Sequence, residues 1–275
     1  MKRIYLDTSV IGSYLRDHPN KLTNFKGKEN SSLRYYASIE TIGELSVNKD
    51  FSSFTTQMKM LRELVSDDHF YHQPADLVRR DLDRFAKRPP RSLLIEREYI
   101  KGLCDLIEDI HSDNETQEFR QTHFTRGKYF LNWDRKAKEN MFNTANLDGI
   151  PSTFEAFWGA TSRDGVIERI IKDLGENHKI NLTQAQISEL YSNLPSYKSI
   201  FVHMVIQKLF PYSRMTRLCK SGRGDNNDLR QAVAGSYCDV FVTRDEDFLA
   251  LLKAGEKILP YRISCPEDFL SGTTT

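Results

Sequence analysis

Two rhythms of apolar and polar residues run along this chain, and the change between them divides it into two ends and a middle. At the start, the apolar run Ile4-Tyr5-Leu6 gives way to Asp7-Thr8-Ser9, and Lys2 to Leu6 is predicted as a short buried strand. Thr8 to Leu15 is helix-compatible, whereas polar Asp17 to Ser32 reads as a loop or a frayed helix. Leu33 to Ile39 predicts a second strand, followed by a helix over Thr41 to Asn48 with Glu44 in its first turn. The far end repeats this order: helix Asp228 to Tyr237, strand Val240 to Thr243, helix Glu246 to Lys253 and strand Lys257 to Ile263. Strands alternating with helices at short intervals predict an α/β fold, a parallel sheet with helices on both faces.

The middle follows a helical period. Phe51, Phe54, Met58, Leu61 and Val65 recur at helical spacing, as do Leu77, Val78, Leu82 and Phe85 up to a break at Pro89-Pro90. Leu94 to Ile110 supplies another periodic run, and Thr183-x-x-Gln186 has the capping-box pattern. Ser196 to Phe210 predicts a helix stopped by Pro211. The expectation is a core built from residues 1–50 and 216–275, with residues 51–215 as a mainly helical insertion that shares the same core or has its own.

Composition narrows the class. With 275 residues, 39% of them hydrophobic and 28% charged, the chain has apolar material for a core. It has no apolar run near the ~20 residues that span a bilayer. The basic start is followed by too short an apolar stretch for a signal-peptide core, so a cytoplasmic location is expected. Cys104, Cys219, Cys238 and Cys265 lack C-x-x-C spacing, which suggests reduced thiols with neither a disulfide frame nor a zinc site. His69-x-x-His72 could set two imidazoles on one helical face, but no ligand at zinc spacing accompanies them, and they read as surface histidines. Neither G-x-x-x-x-G-K-[ST] nor G-x-G-x-x-G follows the first strand.

The candidate chemistry is acidic. Asp7, Glu44, Asp228 and Asp245 each sit where an apolar run turns polar, and open α/β sheets gather ligands at the carboxyl edge of their strands. Four carboxylates held together without a cation repel one another. Mg²⁺ or Mn²⁺ relieves that repulsion, needing only a few carboxylates plus substrate phosphate, and activates water for attack on phosphorus. Singly, each acid has a structural reading: Asp7, Asp228 and Asp245 as caps or turn residues, and Glu44 as a solvated helix position. Asp225 is a further candidate for the same cluster, and Asp247 reads as solvent-facing.

Four motifs in order also resemble the PIN-domain nucleases, including their toxin-type ribonucleases. Ile4-Tyr5-Leu6-Asp7-Thr8-Ser9 is similar to that family's first strand and acid. Ala37 to Leu45 is similar to its second strand and Glu, which selects Glu44 and sets Glu40 aside. Asp228-Leu-Arg-Gln-Ala-Val-Ala resembles the helix bearing the third acid, and Val240 to Phe248 the strand and Thr-x-Asp turn bearing the fourth. The tail Ser264-Cys-Pro-Glu-Asp-Phe-Leu is similar to the usual ending. The likeness covers roughly the first and last fifty residues, and the long middle departs from it. It implies a PIN-like fold and a Mg²⁺- or Mn²⁺-dependent endoribonuclease with Asp7, Glu44, Asp228 and Asp245 on the metal, leaving 5′-phosphate and 3′-hydroxyl ends. Thr243 would support a carboxylate. It leaves room for an antitoxin-like protein partner and a homodimer.

Lys220, Arg223 and Arg244 flank the second acidic block and are candidates for phosphate contacts. Arg126 to Lys138, including Lys128 and Arg135, mixes base charge with aromatics, as suits single-stranded nucleic acid or simply an amphipathic helix. Two rival readings are a non-catalytic nucleic-acid-binding module and a haloacid-dehalogenase-type phosphohydrolase, although Ser9 stands where the latter requires a second Asp.

Overall fold

A computed structural model of the chain describes residues 1–29, 32–47, 50–72, 92–124, 149–161, 172, 175–176, 179–192, 196–216, 218 and 225–272. The periodic run Leu77 to Phe85, the Pro89-Pro90 break, and Lys128, Arg135, Lys220 and Arg223 lie outside them.

Five strands form one parallel sheet because each offers apolar side chains to both faces. In β1 (Lys2–Leu6), Ile4 and Leu6 enter one core cluster while Tyr5 enters another. In β2 (Leu33–Ser38), Tyr35 and Ala37 oppose Tyr36 in the same way, and in β3 (Phe70–Tyr71) Phe70 opposes Tyr71. In β4 (Val240–Val242), Val240 and Val242 oppose Phe241, and β5 (Arg262–Ser264) adds Ile263 to the cluster of Tyr5. This is the pleat period of two, and a sheet buried on both faces explains why its strands read as nearly unbroken apolar runs. The order is β3-β2-β1-β4-β5, with every pair parallel.

A π-helical segment, Val10–Leu15, follows β1 and leads to α1 (Lys21–Lys28). After β2 come α2 (Ile39–Leu45) and α3 (Phe51–Leu64), and after β3 come α4 (Arg97–Glu108) and α5 (Asp113–Phe124). Next are α6 (Phe154–Thr161), α7 (Gln184–Ser192), α8 (Ser196–Thr216) and α9 (Asp225–Ala234). A 3₁₀ turn, Gly235–Tyr237, then precedes β4, α10 (Glu246–Ala254) lies between β4 and β5, and α11 (Pro266–Ser271) follows β5. The π-helical segment and α1 to α5, with α11, cover the face of Ile4 and Leu6. Helices α6, α8, α9 and α10 cover the face of Tyr5. No described helix is long and apolar enough to cross a membrane.

Several boundaries differ from the sequence reading. The segment read as loop or frayed helix contains α1, anchored by Phe25, whose ring lies 5.8 Å from that of Phe269. The second helix begins at Ile39, two residues early, because Ser38 and Thr41 form a reciprocal capping box. Glu44 therefore sits in the last turn of α2, and Glu40 in the first. Helix α8 runs through Pro211 to Thr216. Proline removes one backbone donor, and burial of Phe210 and Tyr212 on either side outweighs that loss. His69 and His72 flank β3 in extended chain instead of sharing a helical face; the His69 ring packs 4.6 Å from that of Tyr36. The last strand starts only at Arg262. The capping box at Thr183 and Gln186 is present, with Gln186 N donating to Thr183 Oγ1 at 3.3 Å.

Candidate functional site

The strand order reverses at β1. The chain passes from β1 outward to β2 and β3, then returns to place β4 and β5 on the other side of β1. Ligands of open α/β sheets bind in the crevice beyond the carboxyl ends of the two strands at such a switch point. Asp7 immediately follows β1, and Thr243-Arg244-Asp245 follows β4, so sequence-distant residues meet there by topology alone.

Two hydroxyls hold Asp7. Its backbone N donates to Val242 O at 3.0 Å, extending the strand pairing by one step. Thr243 Oγ1 donates to Asp7 Oδ2 at 2.8 Å, and Ser9 Oγ donates to the same oxygen at 2.5 Å. Ser9 Oγ also accepts from Arg244 N at 2.9 Å and from Asp245 N at 3.3 Å. The turn after β4 is thus stitched to the turn after β1. Asp7 is 5% exposed. Burial raises its carboxyl above the ordinary aspartate value, the Ser9 and Thr243 hydroxyls oppose that rise, and the charge of Asp245 adds to it.

Glu44 approaches from α2. Burial and then the Asp7 charge push its carboxyl up to about 8, against hydrogen bonds from Thr8 and Gln231. Glu40, one turn earlier on the same helical face, adds further repulsion, although its own carboxylate lies 3.3 Å from Arg230 Nη1 on α9. Asp228 is half-buried near the start of α9. Because α9 leads through the 3₁₀ turn to the amino end of β4, its N-terminus lies at the carboxyl edge of the sheet, the same edge as Asp7. The backbone of Asp225 opens α9; its side chain is outside the described set. Asp245 is exposed and caps α10, its Oδ1 accepting from Phe248 N at 2.8 Å, so the turn role and the place beside Asp7 coexist. Asp247 is exposed.

The topology therefore brings Glu44 and Asp245 each within electrostatic reach of Asp7, with α9 alongside. It does not close them into a cage: among the described residues, no three His, Cys, Asp or Glu side chains group closely enough to hold an ion. Arg244 is the described cation nearest the β4 turn in sequence, and it pairs with Glu246 at 3.1 Å. Cys104, Cys238 and Cys265 are free thiols. An open concavity of about 640 Å³, which includes Lys2, Asp239 and Arg262 in its lining, lies at the amino edge of the sheet, away from these acids.

Sequence reasoning missed two residues that organise the site. Ser9 was legible in principle, lying two positions after Asp7 in Asp-Thr-Ser. Gln231 lies one turn after Asp228 on α9 and is 1% exposed. Its only signal was a lone amide beside Ala232-Val233-Ala234. In comparisons with known proteins, no family model, no curated protein and no solved structure matches this chain.

Proposed function

We propose that this chain is a divalent-metal-dependent endonuclease of the PIN type that hydrolyses RNA. The observation that carries the reading is the carboxylate pair Asp7 and Glu44 at the switch-point crevice, each driven toward its protonated form by burial and by neighbouring acids. A hard cation resolves that repulsion, and Mg²⁺ is commonly held by one or two carboxylates with substrate phosphate completing its shell. The donor set fits. Thr243 and Ser9 both engage Asp7 Oδ2, and no described residue donates to Oδ1.

In this reading Asp7 and Glu44 hold Mg²⁺ or Mn²⁺, with Asp228 and Asp245 completing the acidic set and Asp225 beside it. When bound, such an ion lowers the pKa of a water and offsets charge on the phosphodiester. Thr243 and Ser9 fix the rotamer of Asp7, and Asp245 anchors the start of α10. Arg244 meets substrate phosphate, with Lys220, Arg223, Lys128 and Arg135 as further contacts. Hydrolysis joins the water oxygen to phosphorus and breaks the P–O3′ bond, leaving a 5′-phosphate and a 3′-hydroxyl.

The test is cleavage of end-labelled RNA by the full chain with Mn²⁺, with excess EDTA, and by Asp7→Asn. Asn keeps an oxygen for Ser9 and Thr243, so folding should survive while cutting stops. Undiminished cleavage in EDTA or by the Asn variant would falsify the proposal. RNA binding equal in Mn²⁺ and EDTA with no cutting would instead favour a non-catalytic binding module.

A further inference from the structure

We propose that Gln231 is a positioning residue of this acidic site, clamped from below by Tyr5 so that its amide aims the Glu44 carboxylate into the crevice. The inference rests on the metal-dependent reading above and names a determinant of that site to which the motifs assign no role.

The geometry uses both ends of one amide. Gln231 Nε2 donates to Glu44 Oε2 at 3.1 Å and to Thr8 Oγ1 at 2.7 Å. Gln231 Oε1 accepts from the Tyr5 hydroxyl and from Thr41 Oγ1, the latter at 3.4 Å. An amide has two N–H donors and one oxygen with two lone pairs, so this side chain has no bonding capacity left over. The four partners come from three pieces of the fold: Tyr5 from β1, Thr8 from the turn after it, and Thr41 and Glu44 from α2.

The direction of the amide is also fixed. Tyr5 is fully buried, with its ring stacked on Phe241 at 5.2 Å and 16°, so the phenol cannot swing away. Its oxygen lies 2.8 Å from Ser38 Oγ as well. A phenol has one proton, so donation to Gln231 leaves Ser38 to donate to Tyr5. An oxygen-bound acceptor end forces the NH₂ end toward Thr8 and Glu44. When Glu44 is ionised, as a metal-holding carboxylate is, flipping the amide would leave two acceptors facing each other.

A merely structural glutamine would stabilise α9 against the sheet and do nothing else. A positioning glutamine also sets where Glu44 points, and loss of such an outer partner costs about tenfold to a hundredfold in metal affinity or activity. The experiment compares wild type, Gln231→Met, Tyr5→Phe and Ser199→Ala as full-length chains. Ser199 is a buried residue of α8 whose hydroxyl donates to Tyr237, so its variant serves as a destabilised control. Mn²⁺ affinity is titrated by calorimetry, thermal unfolding is recorded, and kcat and KM are measured on RNA.

Gln231→Met is expected to fold, to bind Mn²⁺ about tenfold to a hundredfold more weakly, and to lose kcat with KM for RNA unchanged. Tyr5→Phe, which keeps the amide but frees it to flip, should fall between it and wild type. Ser199→Ala should lose stability and keep wild-type Mn²⁺ affinity. Wild-type affinity in Gln231→Met, or an equal loss in Ser199→Ala, overturns the positioning role and leaves the nuclease reading standing. Failure of wild type itself to bind Mn²⁺ overturns both.

Discussion

Substituting Glu44 by Gln should make the metal-free protein more stable at alkaline pH, the reverse of what removing a buried hydrogen-bonded group usually does. The carboxyl has a folded-state value of about 8 against an ordinary 4.5. The folded chain thus keeps a proton on Glu44 through a range where the unfolded chain has released it. Stability from this group is complete below about 4.5 and is lost as pH climbs toward about 8, because the folded state binds more protons across that interval. At about 1.4 kcal/mol per pH unit, the interval sets a ceiling of about 5 kcal/mol, and water reaching a half-buried group lowers it to about 2–3 kcal/mol. Glutamine mimics the protonated acid and does not titrate. In EDTA the two proteins should unfold alike near pH 5. Near pH 8.5 the variant should melt about 5–10 °C higher, on the scale for chains of this size. Asp7, whose value is also raised, adds a slope of the same sign to both proteins, so the difference between them isolates Glu44. Adding Mn²⁺ at pH 8.5 should stabilise wild type and leave the variant nearly unchanged. Parallel pH curves for the two proteins, or a less stable variant at pH 8.5, would refute the electrostatic argument.

Other outcomes follow from the packing and the hydroxyl network. Thr243→Val strips a donor from Asp7 and a partner from Asp245 N, and should cost about 1–3 kcal/mol by urea unfolding, with cleavage falling further than stability. Gly235→Ala would place a methyl 2.5 Å from the Phe241 ring, which is fully buried, so overpacking of about 1–3 kcal/mol should appear as a lower denaturation midpoint. Gly43→Ala meets the Phe124 ring at 2.8 Å, but that ring is only partly buried at the end of α5, so a smaller loss is expected in the same measurement.

The parallel sheet and the positions of Asp7 and Asp245 were legible because strand ends are written locally, in the step from apolar to polar residues. Ile4-Tyr5-Leu6 and Val240-Phe241-Val242 announce burial on both faces, and the acid after each strand needs no long-range information. The rest depended on contacts between distant parts of the chain. Gln231 gains its meaning from Tyr5, 226 positions away, and from Thr8, Thr41 and Glu44, all in the first fifty residues. Pro211 looked like a stop because local backbone cost is readable and the packing of Tyr212 on Phe154 and Phe157 is not. The start of α2 was misplaced because Ile39 suits a strand or a helix equally, and the Ser38–Thr41 box decides between them. The middle was read as helical, and β3 escaped notice because a two-residue strand has no period to detect.

The placement of β4 has a consequence for how the chain is made. β1 is central in the finished sheet, yet one of its two neighbours begins at Val240. During synthesis, β1 to β3 can pair while an open, apolar strand edge waits for about 170 further residues, from Tyr71 to Val240, to emerge. Such an edge invites pairing with other chains, and contacts of this sequence separation are slow to form. The same delay withholds the crevice: Thr243 and Asp245 arrive with the strand that closes the edge, so a nascent chain has no assembled site beside the ribosome until its sheet is complete.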